Sequence, residues 1–210
     1  MAAMEDVLDL YEEPYDPKQP TVCFDETSKQ LIEETRAPEP ATAGQVERYD
    51  YEYKRNGTRN IFMICEPQGG RREITVTEQR TKVDFACQMQ RLVELYPEAE
   101  VIRVVMDNLN THKAGSLYEA FEPAEARRIL KKLEFHYTPK HGSWLNMAEI
   151  ELSILSRKCL DRRIADEATL KGEIKAYQDK RNEAETRINW RFTSRDARVK
   201  LHRLYPSILS

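Results

Sequence analysis

Two apolar runs in this chain stop abruptly at an aspartate, and that pattern restricts the fold more than any other feature. Val22-Cys23-Phe24 runs into Asp25-Glu26, and Val101 to Met106 runs into Asp107-Asn108. Runs this short and this apolar read as strands buried on both faces, as in sheets covered by helices on each side. An aspartate at the end of such a strand sits at the rim of the sheet, where it can face a ligand. A third stretch, Ser143-Trp144-Leu145-Asn146-Met147-Ala148-Glu149, reads as a helix start with Glu149 in its second turn and Ser143 as N-cap. Three carboxylates brought together make a hard, oxygen-only site suited to Mg²⁺ or Mn²⁺. Paired divalent ions of that kind drive in-line displacement at phosphodiesters.

The remaining pattern supplies elements around those strands. Tyr49, Tyr51 and Tyr53 alternate with charged residues, Asn56-Gly57 follows, and then Ile61 to Cys65. This predicts a hairpin closed by a type I′ turn at Asn56-Gly57. Gln68-Gly69-Gly70 turns the chain into a further strand, Glu73 to Thr77. Helical spacing covers 81–95, 115–121, 123–133, 144–159, 167–187 and 194–203, and Phe135-His136-Tyr137 is a short strand. Residues 36 to 45 read as a loop. Three strands in a meander, followed by strands alternating with helices, predict an α/β fold: a mixed sheet of about five strands with helices on both faces. The first and fourth strands then lie parallel and adjacent, so that Asp25 and Asp107 emerge at one edge.

Composition excludes several classes. The four cysteines, Cys23, Cys65, Cys87 and Cys159, show no Cys-x-x-Cys spacing, which points to reduced thiols in a cytosolic protein rather than a disulfide framework or zinc site. The N-terminus lacks the basic and apolar regions of a signal peptide, and the apolar runs are too short to span a membrane. The net charge of −3 is a poor match for a free-standing nucleic-acid binder. The basic residues are concentrated late, however, with Arg157, Lys158, Arg187, Arg191, Arg195 and Arg198 able to track phosphates and Lys140 and His141 beside a helix start that welcomes an anion.

Each carboxylate also has an ordinary reading. Asp25 can merely terminate a strand, Asp107 can open a polar loop in which Asn110 or Thr111 caps a helix, and Glu149 can be a surface glutamate. At 100° per residue, Asn146 lies about 60° from Glu149, while Trp144, Met147, Ile150, Ile154 and Leu155 fall on the other side. Glu151 points into that apolar stripe, where a charge must be paired or exposed by an interface. The wheel favours Glu149 and leaves Glu151 open.

The segments Phe24-Asp25-Glu26, Met106-Asp107-Asn108-Leu109-Asn110-Thr111-His112 and Tyr137-Thr138-Pro139-Lys140-His141-Gly142-Ser143-Trp144-Leu145-Asn146-Met147-Ala148-Glu149 resemble bacterial insertion-sequence transposases of the mariner superfamily. The resemblance covers nearly the whole chain from about Pro20 and is most specific in the Thr-Pro-x-x-x-Ser-Trp-Leu-Asn-x-x-Glu stretch. It implies a ribonuclease H-like catalytic core over 20–160, a C-terminal helical extension over 161–210, and a residual linker over 1–19. It implies that Asp25, Asp107 and Glu149 bind two Mg²⁺ or Mn²⁺ ions, with Asn108, His112 and Asn146 as auxiliary positions. The partners implied are element ends and target DNA, with a homodimer in the transposition complex. Relatives carry helix-turn-helix domains ahead of the core, so this chain is expected to be the catalytic half of a split frame, partnered by a separately encoded DNA-binding part, or the remnant of a decayed element. A ribonuclease H-like nuclease without transposition activity, and a non-enzymatic remnant that binds DNA or intact transposase, are the alternatives.

Overall fold

The computed structural model describes residues 1–36, 40–46, 48 and 50–205. Tyr49, part of the alternating tyrosine pattern, and residues 37–39 of the expected loop lie outside them. The helices are α1 (Ala2–Glu12), α2 (Lys82–Leu95), α3 (Ala114–Ala120), α4 (Pro123–Leu130), α5 (Met147–Leu155), α6 (Glu167–Glu183) and α7 (Ser194–Lys200). The strands are β1 (Thr21–Glu34), β2 (Tyr53–Glu66), β3 (Arg71–Thr77), β4 (Ile102–Met106) and β5 (Leu133–Tyr137). They form one sheet in the order β3-β2-β1-β4-β5. β1, β2 and β3 are antiparallel neighbours, and β1, β4 and β5 are parallel. This is the expected mixed sheet, with β1 central and beside β4.

Strand alternation divides the core in two. Cys23, Ile61, Met63, Cys65 and Val105 face the side covered by α1, α5, α6 and α7. Val22, Phe24, Phe62, Ile64, Val104 and Met106 face the side covered by α2, α3 and α4, where Phe24 contacts both Phe62 and Phe85.

Two local expectations are corrected. Asp25 does not end β1. The parallel ladder with β4 stops at Cys23↔Val105, but the antiparallel ladder with β2 continues to Glu34↔Tyr53. Backbone hydrogen bonds need no apolar side chains, so the polar half of β1 still pairs. Asn56-Gly57 is not a hairpin turn either. Gln30 pairs with Thr58 and Ile32 with Arg55, so β2 carries one extra residue there, a bulge with Gly57 at φ +90°. Within residues 1–19, expected as a residual linker, α1 buries Met4, Val7, Leu8, Leu10 and Tyr11 in the core. The Tyr11 hydroxyl donates to the Leu145 carbonyl at 2.8 Å, tying α1 to the turn before α5.

The edge of β3 is closed by side chains of α6 rather than by another strand. Asn182 accepts from the Arg72 N–H and donates to its carbonyl, both at 2.8 Å, and Gln178 accepts from the Ile74 N–H at 2.6 Å. These amides satisfy groups that an open edge would offer to another chain.

Candidate active site

Asp25 occupies the position where β1 loses β4 as a neighbour. Because Val22 pairs with Val104 and Cys23 with Val105, the next residues bring Asp25 beside Asp107, which follows the last residue of β4. Asp25 shares the face of Cys23, toward α5, and its Oδ1 accepts the Glu26 N–H at 2.8 Å.

Glu149 is placed by Asn146. A single 3₁₀ turn, Ser143–Leu145, precedes α5, and Asn146 rather than Ser143 caps the helix. The buried Asn146 side chain accepts from the Ala148 N–H at 3.1 Å and donates to the Phe24 carbonyl at 2.8 Å. It therefore fastens the helix start to β1 directly beside Asp25. With the helix starting at Met147, Glu149 falls in the first turn, not the second. The later start also takes Trp144 off the helical face, leaving it 43% exposed, and Ile150 is exposed as well.

Asp25 senses the other two carboxylates. Burial pushes the Asp25 carboxyl up to about 7 against the pull of the Glu26 N–H, and the negative charges of Glu26, Glu149 and Asp107 push the same way. Among the described residues neither Asp25 nor Glu149 has an ion-pair partner. No three His, Cys, Asp or Glu side chains among the described residues close into a metal cage. The donor set is oxygen-only and lies at one sheet rim, the chemistry a hard cation takes, and neither Asp25 nor Glu149 is neutralised by a cation among the described residues.

Asp107 is held by His112, whose Nδ1 is 2.5 Å from Asp107 Oδ1. On the other side His112 Nε2 lies 3.2 Å from Glu26 Oε2, an ion pair without hydrogen-bond alignment. Burial draws the His112 pKa down, but Asp107 and Glu26 outweigh it and hold it up at about 9. Phe24 and Phe85 flank the ring, and Tyr137 donates to the His112 carbonyl at 3.0 Å. Glu26 was not singled out by the sequence reading. The available signal is alternation, since a residue next to Asp25 in a strand must face the opposite layer.

Glu151, the competing position, is fully buried and paired. Its Oε1 accepts from Arg72 Nη2 at 2.7 Å and from Arg181, and its Oε2 accepts from the Tyr177 hydroxyl at 3.2 Å. Asn108 is exposed and accepts from Lys113. Of the basic residues expected near DNA, Lys140, His141, Arg157, Lys158, Arg187, Arg191 and Arg195 are exposed, whereas Arg198 is engaged by both carboxylate oxygens of Glu5 at 2.7 and 3.1 Å. All four thiols are free, as expected: Cys23 and Cys65 are buried, Cys159 is half-buried and Cys87 is exposed.

A five-stranded mixed sheet with this strand order has the ribonuclease H-like fold. Residues 20–171 match the family described as DDE superfamily endonuclease, and the chain belongs to that family. The fold is also that of the Mos1 mariner transposase. A crystal structure of the Mos1 mariner paired-end complex with Mn superposes with a TM-score of 0.58 at 15% identity, covering 88% of this chain and 55% of that one. A pre-cleavage Mos1 transpososome gives 0.56 at 14% identity, covering 88% and 60%, and the Mos1 strand transfer complex gives 0.56 at 14%, covering 85% and 52%. At these identities the likeness shows the fold, and this chain spans little more than half the length of those proteins. No curated protein matches the chain. Among the described residues no helix is long and apolar enough to cross a membrane.

Proposed function

We propose that this chain is the catalytic domain of a mariner-type insertion-sequence transposase, acting on DNA in the bacterial cytoplasm. Asp25, Asp107 and Glu149 would hold two Mg²⁺ or Mn²⁺ ions. What supports the reading is the β1–β4 register, which runs toward Asp25 and Asp107 at the same end of the sheet, together with Asn146, which fastens the start of the Glu149 helix to Phe24. Once bound, the ions would activate the attacking oxygen and stabilise the leaving 3′-oxygen of a phosphodiester. The chain itself would hold the scissile strand in line and keep its own carboxylates oriented. Asn146 orients Glu149 through the Phe24 carbonyl. His112 orients Asp107 and is itself braced by Glu26. The exposed cations Lys140, His141, Arg157, Lys158, Arg187, Arg191 and Arg195 would meet phosphates, giving salt-sensitive binding with little sequence information. Hydrolysis at an element end, strand transfer into target DNA and a homodimeric complex complete the reading.

The test is Mn²⁺-dependent nicking of an end-labelled duplex by the purified chain, followed by a strand-transfer assay with a pre-cut end. Cleavage that is lost on chelation and in Asp25→Asn supports the proposal. Cleavage without strand transfer would reduce it to a nuclease of the same fold, and metal-independent or absent cleavage would overturn it.

A further inference from the structure

Beyond α5 the helix loosens into a single π turn, Ser156–Leu160, and runs beside α6. Between them lies an open cleft of about 740 Å³. It is lined by five cations, Arg157, Lys158, Arg162, Lys180 and Arg181, against two acids, Asp161 and Glu173. Glu173 is consumed by Arg162 at 2.5 Å, and Arg181 by the buried Glu151. Arg157, Lys158 and Lys180 are exposed and have no carboxylate partner among the described residues; Arg157 Nε donates only to the Ser153 carbonyl, at 3.2 Å. Three cations without a carboxylate partner, against the single remaining acid Asp161, around one concavity in a chain of net charge −3, call for a polyanion. The cleft also has a definite relation to the acidic rim. Arg157 is eight residues past Glu149, about 12 Å along the helix, and the exposed Ser153 and Ser156 lie between them with no further acid on that face. At about 3.4 Å of rise per nucleotide, that span is three to four nucleotides.

We infer that the α5–α6 cleft binds the phosphodiester backbone of the DNA strand three to four nucleotides from the bond held at Asp25, Asp107 and Glu149, through Arg157, Lys158 and Lys180. The inference rests on the DNA-cleaving reading above and adds Lys180 and the cleft to it. The test is fluorescence anisotropy of the full chain with an unrelated labelled duplex between 50 and 300 mM salt. Each phosphate contact contributes about 0.9 to the slope of log K against log salt. Arg157→Ala/Lys158→Ala/Lys180→Ala should lower the slope by about 2.7 and weaken binding on the order of a hundredfold near 0.15 M salt. Lys158→Arg/Lys180→Arg, which keeps the charge, should keep the slope, and matching thermal melts check that the alanine variant is folded. An unchanged slope in a folded alanine variant overturns the inference. So does displacement of a cleft-bound label by polyglutamate but not by DNA, which would assign the cleft to an acidic protein segment. Asp25→Asn separates the two readings, since it should abolish cleavage while retaining the wild-type slope.

Discussion

Glu149 and Glu151 stand two residues apart on one helix, and their surroundings are opposite in sign. Glu151 is fully buried, yet two arginines and a tyrosine hydroxyl converge on it, and it stays ionised with its pKa below the usual carboxylate range: burial alone would raise it, but Arg72 and Arg181 outweigh burial. Glu149 is only half-buried, yet it meets other carboxylates and no cation among the described residues. A folded chain satisfies the charges that serve its stability. At the rim only Asp107 has a cationic neighbour, His112, and Asp25 and Glu149 have none among the described residues, which is the condition under which a metal ion and a phosphodiester complete a site. The contrast yields four predictions, from the largest expected effect to the smallest.

The rim should govern chemistry more than folding. Asp107→Asn and Glu149→Gln should each reduce Mn²⁺-dependent cleavage at least about a thousandfold, some 4 kcal/mol of barrier, because each removes a charged ligand from the ions that stabilise the leaving oxygen. Far-UV circular dichroism should match wild type for both; melting should be unchanged for Glu149→Gln and lowered for Asp107→Asn, which removes a counter-charge from the buried His112. Activity within tenfold of wild type in either variant would strike that residue from the catalytic set.

Glu151 should behave in the reverse manner. Glu151→Gln keeps the shape but leaves Arg72, whose side chain is completely buried, without its counter-charge. Breaking a buried pair from one side costs about 3–5 kcal/mol. For a domain of this size that is a fall in Tm of about 10 °C. A melt indistinguishable from wild type would show that the network contributes nothing, and the contrast between the two glutamates would collapse.

Much of this contrast was legible in the sequence, and the missing parts share a cause. The apolar runs before Asp25 and Asp107 announced buried, adjacent, parallel strands because burial on both faces leaves a compositional trace. The apolar face of α5 warned that a charge at Glu151 had to be paired. Nothing local identified Arg72 or Arg181 as its partners, 79 and 30 positions away along the chain. The pairing of His112 with Glu26 was invisible for the same reason, since it depends on how the loop after β4 folds back over Phe24. The true helix start was obscured because Ser143 and Asn146 are both competent caps. What separates them is the Phe24 carbonyl, a tertiary partner. Likewise Asn56-Gly57 favours positive φ, and only strand pairing shows whether the chain turns there or bulges.

Asn146 links the two regions, so its removal should register in both. Asn146→Ala loses the N-cap, about 1 kcal/mol, and leaves the Phe24 carbonyl without its side-chain donor. The expected loss is about 2–3 kcal/mol in chemical denaturation, together with lower kcat because Glu149 is no longer held against β1. Asn146→Ser keeps a capping oxygen and loses the donor to Phe24 without adding charge, so it should recover roughly half of the stability. If both variants were equally unstable, the cap would contribute nothing and the Phe24 bond would carry the whole effect.

The smallest effect has the most unusual sign. Asp25 is surrounded by the carboxylates of Glu26, Glu149 and Asp107 and has no cationic partner among the described residues. Asp25→Asn removes one of these mutually repelling charges and retains an oxygen able to accept the Glu26 N–H. In chelator the variant should therefore be more stable than wild type by about 1 kcal/mol, a gain of some 2–4 °C. Added Mn²⁺ should reverse the order. The wild-type chain gains about 2.7 kcal/mol at a hundredfold excess over its Kd, and the variant, lacking a ligand, gains much less. Paired melts of the two proteins, with chelator and with Mn²⁺, read this crossover directly. If Asp25→Asn lost stability in chelator, as Glu151→Gln should, the rim would be a structural network like the one around Glu151, and the distinction between the two glutamates would no longer mark where the chemistry lies.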